Sequence, residues 1–333
     1  MMPKLPLVSI IMPVRNEART ITEALDAIAR QDYPPDRIEV VIIDGNSTDQ
    51  TATIIREWMK HDTRIKFIEG PYNCPAAMNI GIRESQGSIV AKIDGHGYVN
   101  PSFLRVAVNF LIEHPMCAGV GGRIAPIGRT RTARSNMYAR FSRFGVGSSP
   151  YTEPHTIHLT NSVQCGVYIK DHLIRVGGFD SKLQFGEDEE LNHRLIRAGF
   201  TIVLHADMVF HYYVRPTFSG LYRQYQNYGA ARLKVVRKSP DFFRMKYIVP
   251  VTVVVALIAA ALLALISTKY VVPAAIIYGT YLTFLTIGAV WTGTKNHFFH
   301  FEYLFVSLLM LHLGYAIGMI HEAFLPQENR SAR

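Results

Sequence analysis

The stretch EVVIIDGNSTDQT (39–51) decides the fold. Its apolar run does not alternate with polar residues, and it stops at Asp44. Such a run reads as a short strand buried on both faces. A turn follows, and then a helix over 48–60, with Ser47 or Thr48 as its expected cap. The same unit recurs on either side. LVSIIMP (7–13) leads into a helix over 17–31, on which Ile21, Leu25 and Ile28 share one face. IKFIE (65–69) leads into a helix over 75–85, and SIVAKID (88–94) is the fourth strand. Strands alternating with helices predict an α/β fold with a mostly parallel sheet covered on both faces. Ligands of such sheets lie beyond the carboxyl ends of the strands. Asp44 and Asp94 both end strands and are expected to face one cleft, 50 residues apart in sequence. Further on, the pattern predicts a helix near 100–114, a strand near 117–124, a Ser/Gly/Pro-rich loop at 145–155, a strand at 166–170, a helix over 187–198 and a strand at 201–205.

Two nucleotide-binding classes are excluded by what the turns contain. The turn after the first strand is PVRNEA, with no GxGxxG, and no GxxxxGK[ST] loop occurs. Composition changes near residue 247. Tyr247–Ser267 and Tyr270–Trp291 carry no charge, and Tyr303–Ile320 carries only His312. Crossing a bilayer takes roughly 20 apolar residues; the first two segments meet that length and the third is slightly short. The formal charge is +9, and Arg223, Arg232, Lys234, Arg237, Lys238, Arg244 and Lys246 crowd before the first segment. Basic residues at that place favour the cytoplasmic side and anionic headgroups. Nucleic acid is not an expected partner, because the cluster abuts the membrane segment. The expected organisation is a cytoplasmic domain over 1–215, a basic amphipathic segment over 216–246, membrane helices at 247–267, 270–291 and 303–320, and a tail over 321–333. The loop 268–270 would lie outside and 292–300 inside. Cys74, Cys117 and Cys165 form no CxxC pair, which suits a reducing compartment. MMPKLPLVSIIMPVRNE does not read as a signal peptide, since its apolar run is short and charges follow.

Several motifs stand in order across 7–215: PVRNE (13–17), QDYP (31–34), VVIIDGNSTDQT (40–51), AAMNIGI (76–82), Asp94, GGFD (177–180) and GEDEELNHRLIRAG (186–199). Together they resemble family 2 inverting glycosyltransferases of the GT-A fold. FGVGSSPY (144–151), CGVYIK (165–170), YYVRP (212–216) and RQYQNYG (223–229) resemble a membrane-bound subgroup that makes exopolysaccharides and glycolipids. The resemblance implies a GT-A domain followed by transmembrane helices, in the inner (plasma) membrane with its catalytic part cytoplasmic. It implies transfer of a hexose, glucose by first choice, from a UDP- or GDP-sugar to a lipid-linked saccharide. A glycolipid synthase acting on a diacylglycerol- or sphingoid-type acceptor, or an inactive scaffold, is the alternative.

By the same resemblance Pro13, Arg15, Glu17, Asp44, Asp49, Asn79, Lys92 and Asp94 surround the nucleotide-sugar. Asp188 is the catalytic base with Glu187 beside it, and Asp94, His96 and His211 are candidate ligands of Mn²⁺ or Mg²⁺. Arg223, Gln224, Tyr225, Gln226 and Tyr228 are candidate acceptor contacts. Chemistry is consistent with these roles. A departing nucleoside diphosphate concentrates negative charge that a divalent ion can neutralise. An acceptor hydroxyl needs a base within hydrogen-bond reach. The residues alone leave alternatives: Asp49 as a helix cap, Glu187, Glu189 or Glu190 as the base, His211 as a strand histidine, and 223–238 as an interfacial helix. The family strand ends D-x-D, whereas here His96 replaces the second acid, either as a ligand or as part of the turn. The processive motif Q-x-x-R-W is missing, since Trp58 and Trp291 are the only tryptophans.

Overall fold

The computed structural model describes residues 5–145 and 156–325. Most of FGVGSSPY, most of the 145–155 loop and the tail beyond 325 lie outside the described residues. The chain forms two compact units, Met1–Ala125 with Tyr151–Tyr213, and Pro126–Pro150 with Val214–Arg333.

In chain order the elements are β1 (Val8–Val14), α1 (Ile21–Ala29), β2 (Ile38–Asp44), α2 (Thr51–Met59), β3 (Ile65–Glu69), α3 (Cys74–Glu84), β4 (Ile89–Lys92), β5 (Gly97–Val99), α4 (Phe103–Glu113) and β6 (Cys117–Ile127). Then come α5 (Arg131–Arg140), β7 (His158–Leu159), β8 (Val167–Ile169), α6 (Lys170–Arg175), α7 (Glu187–Arg197) and β9 (Thr201–Tyr213). The last helices are α8 (Phe218–Lys238), α9 (Val249–Ile266), α10 (Val271–Lys295) and α11 (Phe301–Phe324).

The first unit is built on one sheet, in the order β3-β2-β1-β4-β8-β6-β9-β5, with β7 paired to β9. The first four strands are parallel, with Val14 opposite Asp44 and Ile11 opposite Lys92. Beyond β4 the pairings of β8, β5 and β7 are antiparallel, so the sheet is mixed. β2 is buried along almost its whole length, as a central parallel strand must be. Ile21, Ala24, Leu25 and Ile28 of α1 are buried, which is the face the helical spacing marked. Ile11, Val41, Ile43, Met78, Val90, Tyr168, Leu191 and Leu195 lie in one core that joins the sheet to α3 and α7. β4 stops at Lys92, two residues earlier than the apolar run suggested, so Asp94 stands in the following turn.

The second unit gathers α5 with α8–α11. Three segments are long and apolar enough to cross a membrane: Met245–Ile266, Thr268–Lys295 and Phe301–Phe324. The third is 24 residues long, longer than the charge-free run indicated, because polar His321 and Glu322 continue the helix. α9 and α10 are apolar all round and leave large side chains uncovered, Leu265 and Ile266 being 84% and 77% exposed. A helix of that kind matches lipid rather than water. α8, which the sequence left open between an interfacial helix and a wall of the acceptor site, packs on α11 through a small-residue seam in which backbones approach closely. A Cβ on Gly318 would lie 1.9 Å from the Gln226 carbonyl oxygen, and one on Gly229 would lie 2.0 Å from the Tyr315 oxygen. Glu322 of α11 is buried near Lys234 and Arg237 of α8, at 3.7 and 3.6 Å.

Candidate active site

The loops after β1, β2 and β4 meet at the carboxyl ends of the parallel strands. Asp44 closes β2 and is buried. Its carboxylate accepts the Ser47 amide at 3.0 Å and the Ser47 hydroxyl, so Ser47 braces the turn rather than capping α2. Asn16 adopts a left-handed φ of 57° and locks the first loop to the second. Its side-chain oxygen accepts the Thr48 amide at 2.7 Å, while its own amide donates to Ser47 Oγ at 2.8 Å. The Glu17 amide donates to Thr51 Oγ1 at 2.8 Å. Asp49 accepts from the Thr51 and Ala18 amides at 3.0 and 3.2 Å, which is the helix-start role left open above. Desolvation raises its carboxyl, but the Thr51 hydroxyl and then these backbone bonds hold it below the usual range.

Lys92 carries the centre of the site. Its side chain is 2% exposed, and its ammonium lies 2.6 and 2.8 Å from the two oxygens of Asp188, 3.1 Å from Glu187 and 3.9 Å from Asp94. α7 delivers Glu187 and Asp188 in its first turn, behind Gly186 with φ 76°. Two thiols complete the ring, Cys74 at 3.6 Å from Glu187 and Cys165 at 3.8 Å from Asp94. One ammonium cannot neutralise three carboxylates. Burial, with repulsion from Glu187 and Asp94, outweighs Lys92 and pushes Asp188 up to about 7. Burial would also discharge Lys92, but Asp188, Asp94 and Glu187 hold its ammonium well above the ordinary range. Asp94 is kept low against burial by Lys92 and His96. A carboxylate that exchanges its proton near neutrality is suited to general-base work.

Glu190, another acid of this segment, is committed elsewhere. It is buried and binds Arg194 at 2.7 Å, and Arg194 also donates to the Gly178 carbonyl at 2.7 Å. This pair shapes the GGFD loop. Asn79 does the same from α3. Its amide donates to the Phe179 carbonyl at 2.7 Å and its oxygen accepts the Phe179 amide at 2.8 Å. Both its polar atoms thus reach that loop. Gly178, at φ 70°, is needed because a Cβ there would meet Asn79 Oδ1 at 2.5 Å. Pro13 lies within β1 and Arg15 is exposed in the loop that follows it.

His96 and His211 are not brought together. The His96 ring lies 3.6 Å from Glu17 and packs edge-on against Tyr212 and Phe210. His211 stacks on Tyr98 at 4.5 Å. Neighbours on a strand point to opposite faces, so His211, between Phe210 and Tyr212, faces away from His96. Among the described residues no three His, Cys, Asp or Glu side chains are placed to hold one ion. Asp94 and His96 remain as an acid–imidazole pair. That donor set fits an ion held by two protein groups and completed by diphosphate oxygens. Gly95 serves this turn by size rather than by φ, since a Cβ would stand 2.9 Å from Val14 Cγ1.

The candidate acceptor residues lie on α8 in the second unit. Tyr225 is buried in the core shared with α11, and Gln224 donates to the Tyr228 hydroxyl at 3.1 Å. Arg223 is exposed, and Gln226 offers its backbone oxygen to the seam at Gly318.

Comparison with known proteins agrees with this geometry. The sequence profile described as Glycosyl transferase family 2 matches residues 9–170. The dolichyl N-acetyl-alpha-D-glucosaminyl phosphate 3-beta-D-2,3-diacetamido-2,3-dideoxy-beta-D-glucuronosyltransferase of Methanococcus voltae is 30% identical over 275 residues, 79% of this chain and 84% of its own. Succinoglycan biosynthesis protein ExoA of Rhizobium meliloti (strain 1021) is 27% identical over 319 residues, 94% of each chain. The mannosyltransferase PcManGT of Pyrobaculum calidifontis, solved with GDP-Man and Mn²⁺, superposes with a TM-score of 0.62 at 23% identity, over 92% of this chain and 87% of its own. That likeness establishes the GT-A fold. The chain belongs to glycosyl transferase family 2.

Proposed function

We propose that the protein is a membrane-anchored inverting glycosyltransferase. It moves a hexose, glucose by first choice, from a UDP- or GDP-sugar to a lipid-linked saccharide in exopolysaccharide or cell-surface glycan synthesis. The observation that carries this reading is Asp188, only 17% exposed, poised near neutrality and fixed by the buried Lys92 beyond the parallel strands. The names of the Methanococcus and Rhizobium relatives support a lipid-linked or polysaccharide acceptor.

In the proposed reaction an acceptor hydroxyl gives its proton to Asp188 as its oxygen attacks the anomeric carbon. The bond from that carbon to the diphosphate breaks, and its electron pair leaves with the nucleotide. Lys92 holds Asp188 in place through both oxygens, and Glu187 shares that ammonium. Asp44 and Glu17 bind the nucleoside end of the donor, from the two loops laced together by Asn16. Asp94 and His96 would hold Mn²⁺ or Mg²⁺, which when bound neutralises charge on the diphosphate. The three apolar helices anchor the protein in the inner membrane, with 268–270 outside and 292–300 on the catalytic, cytoplasmic side.

Purified protein, a panel of radiolabelled nucleotide-sugars and a membrane extract test the reading. Label in a large lipid-linked product supports it. Label in a small diacylglycerol or sphingoid glycolipid would move the assignment to a glycolipid synthase. No transfer and no nucleotide release with any donor would leave a scaffold. His96→Ala should raise the Mn²⁺ concentration that gives half-maximal rate, and His96→Asp should restore use of Mg²⁺. An unchanged metal requirement in His96→Ala would return His96 to the turn.

A further inference from the structure

The second unit contains a cavity of about 420 Å³ that plays no part in the reaction above. One wall is the turn into α5, with Arg129, Arg131 and Arg134; the other is the α10–α11 turn, with His297, Phe298 and His300. Among the described residues no carboxylate lines it, although the lining His300 lies 3.6 Å from Glu302. Among the described residues, neither Arg131 nor Arg134 has an acidic partner within 4.0 Å; Arg134 instead lies over the Phe298 ring at 5.4 Å. α5 begins at this cavity, so its N-terminal partial charge adds to the arginines.

The walls are held by the fold. A Cβ on Gly128 would stand 2.7 Å from the Arg134 amide nitrogen, and one on Gly293 would stand 2.7 Å from the Phe298 carbonyl. Only glycine lets both turns close this tightly. The Phe298 amide donates back to the Gly293 carbonyl at 2.8 Å. α5 is moored to α11 through Ser135 and Ser307, hydroxyl to hydroxyl at 2.9 Å, and Ser307 donates to Asn136 at 2.8 Å. The arginines therefore converge on a shape that exists before any ligand arrives.

Position identifies the ligand's chemistry. The cavity lies at the ends of α10 and α11, both apolar enough to span a membrane, where lipid phosphates would lie. Phe299 stands at its edge, 64% exposed. An uncovered phenyl ring beside arginines matches the membrane surface, where apolar groups enter the acyl boundary and basic groups meet the headgroups. We infer that this cavity binds a phosphate or diphosphate group carried on a lipid. The occupant's source is either the lipid carrier of the acceptor, which rests on the function proposed above, or an anionic headgroup of the bilayer.

Native mass spectrometry of the full-length protein in neutral detergent tests this without turnover, so it stands or falls separately from the enzymatic reading. The probes are geranylgeranyl phosphate, geranylgeraniol, phosphatidylglycerol and inorganic pyrophosphate. Wild-type protein should bind geranylgeranyl phosphate at least tenfold tighter than the alcohol. The pair Arg131→Gln with Arg134→Gln should lose that preference, and Arg131→Lys with Arg134→Lys should keep part of it. Unchanged melting temperature and circular dichroism in both pairs show that they fold; if the glutamine pair fails to fold, the lysine pair and the phosphate-to-alcohol ratio in wild type decide. A tenfold preference for geranylgeranyl phosphate over phosphatidylglycerol supports the acceptor carrier as the source, and equal binding supports a bilayer headgroup. Equal binding of phosphate and alcohol, wild-type affinity in the glutamine pair, or pyrophosphate binding as tightly as the lipid phosphate would overturn the inference.

Discussion

Replacing Asp188 by Asn should slow the enzyme and stabilise it at once. The side chain stays nearly isosteric, but its charge goes. Asp188 titrates near 7 in the folded chain, against an ordinary value of 3.8. The folded state therefore keeps this proton up to about pH 7, whereas the unfolded chain releases it near 3.8. Between those limits the folded state binds more protons, so stability falls as pH rises, and the whole cost is present above pH 7. At about 1.4 kcal/mol per unit, that cost is about 4 kcal/mol. It already contains the attraction of Lys92, opposed by desolvation and by Glu187 and Asp94. The asparagine keeps one oxygen for Lys92 but turns an NH₂ toward the cluster, so the gain should be below that figure. Apparent melting temperatures of the full-length protein at pH 5 and pH 8 read it out. Asp188→Asn should melt several degrees above wild type at pH 8 and much closer to it at pH 5. Its transfer rate should fall roughly 10²–10⁴-fold, the usual worth of a general base, with nucleotide affinity nearly unchanged. In wild type the rate should rise through about pH 7 as Asp188 ionises. A variant that melts below wild type at pH 8, or that keeps more than a tenth of the rate, would refute the reasoning.

Lys92→Met should lower stability by about 3–5 kcal/mol, because it removes a buried cation and strands three carboxylates that are only 12–17% exposed. In that variant any remaining activity should show its pH midpoint moved upward, since the cation that favours ionised Asp188 is gone. Asp44→Ala should weaken UDP or GDP binding, measured by calorimetry, more than it lowers kcat, because its contacts exist before the transition state; equal affinity would remove Asp44 from the site. Gly318→Leu should lower the melting temperature by an overpacking cost of about 1–3 kcal/mol, since even a Cβ there meets the Gln226 carbonyl at 1.9 Å. An unchanged melting curve would mean that α8 does not need the seam.

The strands of the first sheet were legible because parallel strands buried on both faces are written as unbroken apolar runs. VSIIMPV and IEVVIID are of that kind. β9 was cut short at His205 because its polar interruption, His205–Ala206–Asp207, hides a strand that continues to Tyr213. α5 left no periodic signal at all. Its buried residues are Ala133, Ser135, Asn136 and Ala139, small or polar groups that pack through hydrogen bonds to α11 and to the chain after β9. The same division runs through the site. Asp188 and Glu187 could be found by motif, since their placement depends on one helix start. Asp49, Asn79 and Glu190 sit in equally recognisable motifs, yet their carboxylate and amide groups hold loops, and only the bonding partners reveal it. The split between His96 and His211 depends on the pairing of β5 with β9, where Tyr98 is opposite His211. A shift of one residue in that register would turn His211 to the other face. No local pattern records the register of two strands more than a hundred residues apart. Lys92 is the extreme case. Alone in an apolar strand it looks like an interruption, and its meaning appears only when α7 brings two carboxylates to its end. The fold tolerates a buried lysine in β4 because the acids on α7 pair with it, and the acids are held at the cleft because the lysine is there.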